Sequence, residues 1–160
     1  MEETKENTNM ELKKAIISEC TAYRYELHRT WDKSKPKVLF IMLNPSSADE
    51  NIDDPTTKKV ISYSKKWGYG GLHICNLYTY RTSSPKILFN IPKNKRGSNK
   101  NEIKKYAKKC SKIVYAWGNK EKVPPWLNQI VPNPSFIELS KEGVPKHPLY
   151  LKSNLKLKSF

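Results

Sequence analysis

Acidic residues become sparse after Asp54: residues 1–54 hold 11 Asp and Glu against 8 Lys and Arg, whereas residues 55–160 hold 4 against 22. A balanced surface is therefore excluded for the last two thirds of the chain, which must present a positive face. Cysteine is also scarce, at 3 residues (Cys20, Cys75 and Cys110). Three scattered thiols exclude a disulfide framework or a four-Cys metal cluster and fit plain core residues in a reducing, cytoplasmic compartment. No window approaches the roughly 18 apolar residues of a membrane span. The opening MEETKENTNMELKKAII carries acids where a signal peptide needs a basic start. Glycine numbers only 6, and no Gly-rich phosphate loop, HExxH or Gly-x-Ser-x-Gly elbow occurs. These gaps argue against a nucleotide hydrolase, a zincin or an α/β hydrolase.

What is present is positive charge, a formal +15 over 160 residues with 37% hydrophobic residues, enough for one compact domain. The excess is almost all lysine, which fits either an anionic partner or a compositional bias of the genome. The expected partner is DNA, or a nucleotide or nucleobase, with no membrane and a monomeric chain. Three segments divide the sequence: residues 1–20, a polar tail and a short helix near Met10–Cys20; residues 21–152, a single α/β/α domain; and residues 153–160, a basic tail read as solvated.

Hydrophobic periodicity sketches the domain. Thr21–Thr30 alternates Tyr23, Tyr25 and Leu27 with Arg24, Glu26 and His28, as an edge strand does. Val38–Leu43 is an unbroken apolar run, as expected of a central strand covered on both faces. Asp53-Asp54-Pro55 offers a capping acid before a proline at the first helical position, and Val60, Ile61, Ser64 and Trp67 follow at helical spacing. Further strands are expected over Leu72–Tyr78, Ile113–Trp117 and Ser135–Leu139, with helices over Ser98–Lys109 and near Trp126–Ile130. This alternation predicts an α/β fold, a three-layer α/β/α arrangement around a central, mainly parallel four-stranded sheet.

In such sheets ligands bind beyond the carboxyl ends of the strands. The chain there supplies Asn44-Pro45-Ser46, Asn76, Trp117-Gly118-Asn119 and Lys146-His147-Pro148. An asparagine offers both a donor and an acceptor, so Asn44 and Asn76 suit reading a base edge or orienting a water; each also suits a structural cap or a buried hydrogen bond. His147 is either a donor to developing negative charge or a solvated loop residue. His73 and Cys75 alternate on one strand face with no third ligand within sequence reach, so no metal and no cofactor are expected.

The segments RYELHRTWD (24–32), KPKVLFIMLNPSSADENIDDPT (35–56), KKWGYGGLHICNLYTYR (65–81), YAWGN (115–119) and GVPKHPLYL (143–151) resemble the family of domain of unknown function 1643. Their order is similar to that of the uracil-DNA glycosylase superfamily. The resemblance implies a uracil-DNA glycosylase-like fold and a metal-independent N-glycosidic hydrolase acting on a flipped DNA base. It implies catalytic roles for Asn44, which would place water by hydrogen bonding, and for His147, which would stabilise the leaving base. Asn76, Pro45, Tyr63 and Trp117 would bind the base, with Trp67 and Tyr69 as further aromatic candidates. Ser46, Arg81, Asn119, Lys146 and Lys152 would contact nucleic acid. The last motif departs from the superfamily, with Leu149 where Ser usually follows His-Pro. Two alternatives keep the fold: a non-catalytic module that binds a nucleobase or nucleic acid, and an enzyme of modified-nucleotide metabolism.

Overall fold

A computed structural model describes residues 11–160; the polar tail expected over residues 1–10 lies outside them. In chain order the strands are β1 (Leu12–Ile17), β2 (Arg24–Thr30), β3 (Lys37–Met42), β4 (Gly71–Asn76), β5 (Lys112–Tyr115), β6 (Ser135–Phe136) and β7 (Lys158–Ser159). The α-helices are α1 (Pro55–Lys66), α2 (Pro85–Asn90), α3 (Lys100–Ala107) and α4 (Pro125–Ile130). The strands form one sheet in the order β1-β2-β4-β3-β5-β6-β7. Neighbours β4, β3, β5 and β6 run parallel, while β1, β2 and β7 join antiparallel. The sheet is thus mixed and seven-stranded rather than four-stranded.

The run Val38–Met42 sits at the centre because it is apolar on both faces. Val38, Phe40 and Met42 pack with Val60, Ile61 and Tyr63 of α1, whereas Leu39 and Ile41 pack with Leu88, Ile103, Tyr106 and Leu127 of the other helices. Helix α1 therefore covers one face and α2, α3 and α4 the other, which is a three-layer arrangement. Asp54 caps α1, its Oδ1 accepting from the Thr57 amide at 2.8 Å, with proline in the first turn.

One expectation at the chain ends is corrected and the other refined. Residues 12–17 form a strand, not a helix: β2 exposes a row of backbone donors and acceptors that β1 satisfies from Leu12↔Thr30 to Ile17↔Arg24. This pairing makes β1 the edge and β2 an interior strand, and all of β2 but Tyr25 is buried. The C-terminal segment, although its lysines are exposed, is tied to the domain. Leu151, Leu155 and Leu157 pack against the α1-side core, the Trp67 indole donates to the Leu155 carbonyl at 3.0 Å, Tyr63 donates to the Lys152 carbonyl, and β7 pairs with β6.

A buried polar chain crosses from β4 through β2 to α3. His28 Nε2 meets Glu26 Oε1 at 2.9 Å, the Tyr106 hydroxyl donates to the same carboxylate, and the Nδ1 atoms of His28 and His73 are in contact. With Glu26 as acceptor, neutral His28 carries its proton on Nε2, and His73 must donate from Nδ1 to His28. The hydrogen bonds from Tyr106 and His28 hold the Glu26 carboxyl below its ordinary range although burial alone would raise it. Burial, then the neighbouring His28 and the lysines at 37 and 109, pull His73 down to about 3. Burial lowers His28 as well, against the pull of Glu26. The unfolded chain thus takes up protons that the folded chain refuses below about pH 6.5, and stability falls as pH falls. A urea titration series from pH 7 to pH 4 should show this loss, by up to about 1.4 kcal/mol per pH unit for each such group, and His73→Gln should flatten it. An equal slope in the variant would remove His73 as the cause.

Candidate functional site

The carboxyl ends of β3, β4 and β5 open onto a cavity of about 650 Å³, within the range of small-molecule sites. Each strand delivers a motif to it. Past β3, Asn44 turns the chain by donating its Nδ2 to the carbonyls of Pro45 (3.1 Å), Tyr80 (3.4 Å) and Thr82 (2.8 Å). Pro45 and Ser46 line the cavity beside it. The last residue of β4 is Asn76, buried at 2% exposure, and Trp117, Gly118 and Asn119 follow β5. His147 reaches the same space from the far end of the chain. Leu139 bridges Pro145, and the Gly118 amide donates to the Pro145 carbonyl at 2.8 Å. Gly118 has a φ of +86°, a conformation that favours glycine, and a Cβ there would sit 3.6 Å from that of His147.

Two side chains that the motifs did not single out complete the wall. Arg24, at the start of β2, donates from Nη1 to the Ala48 carbonyl and from Nη2 to Asn76 Oδ1, both at 3.1 Å. Its Nε is buried without a partner among the described residues. Burial draws its guanidinium down to about 10, partly opposed by Asp54, so it is charged at neutral pH. Asp54 is the one acid among the lining residues; besides capping α1 it accepts from the Ala48 amide at 3.4 Å. In the sequence Arg24 falls on the polar side of an alternating strand and Asp54 reads as a cap, so neither shows its second role. Tyr150, at the cavity wall and 94% exposed, was also missed.

These contacts set the chemistry offered. With Oδ1 held by Arg24, Asn76 has its Nδ2 to offer the cavity, so it is a donor there. His147 Nδ1 accepts from the Leu149 amide at 3.3 Å, which puts the imidazole proton on Nε2. Burial lowers the His147 pKa, against the pull of Asp54, so the ring is a neutral donor. Asn44 has the reverse polarity: its Nδ2 is occupied, leaving Oδ1 to accept.

Other expected residues lie elsewhere. Tyr63 does not line the cavity; it is 1% exposed within the α1-side core, stacked on Trp67 with ring centroids 5.1 Å apart, because its helix face points at the sheet. Trp67 and Tyr69 pack on the same core. Arg81 is spent on backbone, its Nε on the Ser46 carbonyl (2.9 Å) and Nη1 on that of Thr21 (3.1 Å). Lys146 pairs with Glu138 at 2.8 Å, and Lys152 is exposed and does not itself line the cavity. Trp117 does line the cavity, although its indole is fixed to the Glu121 carbonyl at 2.8 Å and it is buried.

Fold and site together define an α/β domain with a strand-end cavity built from several separate chain segments. Residues 24–149 match the family described as "Protein of unknown function (DUF1643)", a span that holds every lining residue but Tyr150, and the chain belongs to that family. Comparison with curated proteins and with solved structures gives no match. Among the described residues no helix is long and apolar enough to cross a membrane.

Proposed function

We propose that the cavity receives a base flipped out of DNA and that the protein hydrolyses its N-glycosidic bond without a metal, as a uracil-DNA glycosylase-like enzyme. The observation that carries this reading is the meeting of Asn44, Asn76 and His147, distant in sequence, around one cavity with their donor and acceptor ends already fixed. In the reaction a water oxygen bonds to the sugar C1′ as the bond from C1′ to the base nitrogen breaks, and the bonding pair leaves with the base. Asn44 Oδ1 and the Asp54 carboxylate orient the water, and Asp54 takes its proton. His147 Nε2 and Asn76 Nδ2 donate to the base as it gains negative charge. The Asp54 charge also favours the oxocarbenium-like sugar.

The polarity of Asn76 gives the reading a base class. An amide whose NH₂ faces the ligand meets the keto oxygen of uracil, thymine or hypoxanthine as an acceptor, but opposes the amino group of cytosine or adenine with a second donor. Tyr150, exposed beside the cavity, is placed to stack where the flipped base leaves the duplex.

A single-turnover assay on oligonucleotides carrying uracil, mismatched thymine, hypoxanthine or cytosine tests this directly. Abasic sites are expected from the keto bases and not from cytosine. The rate should fall by about 10²–10³ in His147→Ala, the loss typical of one transition-state donor, and fall likewise in Asn44→Ala. A second reading, a module that binds the base without cleaving it, is favoured by the three backbone carbonyls that occupy the Asn44 amide. Base-selective binding that Asn76→Ala abolishes, with no abasic product from any substrate, would establish that reading instead.

A further inference from the structure

A second cavity, of about 430 Å³, lies beside the first and takes no part in the chemistry above. Its walls include Leu77, Tyr78, Lys93, Glu121 and Trp126. The two cavities share chain segments: Asn76 lines the first, and Leu77 and Tyr78 directly after it line the second. Past β5, Asn119 and Lys120 line the first and Glu121 the second. The two linings therefore meet at the carboxyl edge of β4 and just past β5, with Asn76 and Leu77 as neighbours along the backbone.

The surroundings are aromatic and cationic. Lys100 Nζ lies 5.8 Å from the Trp126 ring, and the Arg96 guanidinium lies 5.7 Å from Tyr78 and 5.0 Å from Phe89. Lys93 lines the cavity, Lys95, Lys120 and Lys122 are close in sequence to lining residues, and Glu121, the one acid lining the cavity, is engaged by the Tyr78 hydroxyl at 2.6 Å. Aromatic rings set among lysines match a chain of stacked bases joined by phosphates, the combination that single-strand-binding surfaces use. A peptide partner of complementary charge would be acidic and would leave the planar Trp126 face without a matched group.

We propose that this second cavity holds the nucleotide adjacent to the flipped one, on the same single strand, with its base against Trp126 and its phosphate among the lysines. The proposal rests on the reading that the first cavity takes a nucleobase. The protein would then engage a single-stranded or opened segment rather than one isolated nucleotide.

Fluorescence anisotropy with a labelled single-stranded pentanucleotide carrying a central uracil, competed by deoxyuridine monophosphate, separates the two sites. Trp126→Leu, which keeps apolar bulk and removes the π-face, should weaken the pentanucleotide about tenfold and leave the mononucleotide unchanged. Trp126→Phe should restore most of the loss, and Lys93→Glu should lower the slope of log affinity against log salt by about 1. Equal pentanucleotide affinity in Trp126→Leu and the parent chain overturns the second subsite and leaves the first cavity's reading intact. A parent chain that binds neither probe overturns both.

Discussion

Arg29→Met is expected to destabilise the protein by about 3–5 kcal/mol, the cost of removing one partner of a buried ion pair, and to lower the melting temperature by roughly 10 °C. Arg29 is fully buried on β2, and its guanidinium gathers the loop that leads from β3 to α1. Nε donates to Asp53 Oδ1 at 2.7 Å, Nη1 to its own strand at the His28 carbonyl at 2.9 Å, and Nη2 to the carbonyls of Asp49 and Ile52. The same loop carries Ala48, whose carbonyl holds Arg24, and ends at Asp54. Methionine fills similar space but leaves three carbonyls without this donor and Asp53 with only Lys13, at 3.9 Å, among the described residues, so both the fold and the cavity wall should loosen. Lysine should fail nearly as badly, since an ammonium cannot serve acceptors spread around a planar fork. The double variant Arg29→Met, Asp53→Leu should recover part of the loss, because it removes the stranded charge. Thermal melts of the three variants decide the matter; a shift of under 2 °C in Arg29→Met would show that the loop is held by other contacts.

How far the sequence foretells this structure depends on whether the cause is local. Val38–Met42 is apolar at every position, and Asp54-Pro55 carries a cap and a helix start within two residues, so both elements could be read directly. The loops after β3, β4 and β5 and the His147 loop were also placed at one end of the sheet by strand order alone, and all four meet there. Non-local causes were hidden. Leu12–Ile17 has no strong strand pattern of its own; the open backbone edge of β2 makes it a strand. Leu155 and Leu157 alternate with lysines over too short a stretch to define an element, and the partial burial of Leu151, Leu155 and Leu157 depends on the core beside Tyr63 and Trp67. Arg24 was misjudged for the same reason, since period-two alternation assigns it to solvent only if nothing covers that face of β2. The loop from β3 to α1 lies over it, and the guanidinium is buried between the Ala48 carbonyl and Asn76.

Asp54→Asn should cut the single-turnover rate by about 10²–10⁴, the usual contribution of a positioned acid or base, while leaving the fold almost untouched. The two effects separate because Asp54 performs two tasks with different requirements. As the cap of α1 it needs an oxygen that accepts from the Thr57 amide at 2.8 Å, and asparagine caps about as well as aspartate. As the acid lining the cavity it needs a negative charge, which asparagine lacks. That charge also supports its neighbours: it opposes the burial that lowers Arg24 to about 10 and the burial that lowers His147. Its removal should therefore push the His147 pKa down further, so the neutral donor persists to lower pH. The acid limb of the rate profile, to the extent His147 sets it, should move to lower pH even as the maximum rate falls. A melting temperature within a few degrees of the parent, together with the large rate loss and that displaced limb, would assign Asp54 to the water and the sugar rather than to the helix. If the rate instead stayed within threefold, Asp54 would be a cap alone, and Asn44 Oδ1 would have to place the water unaided.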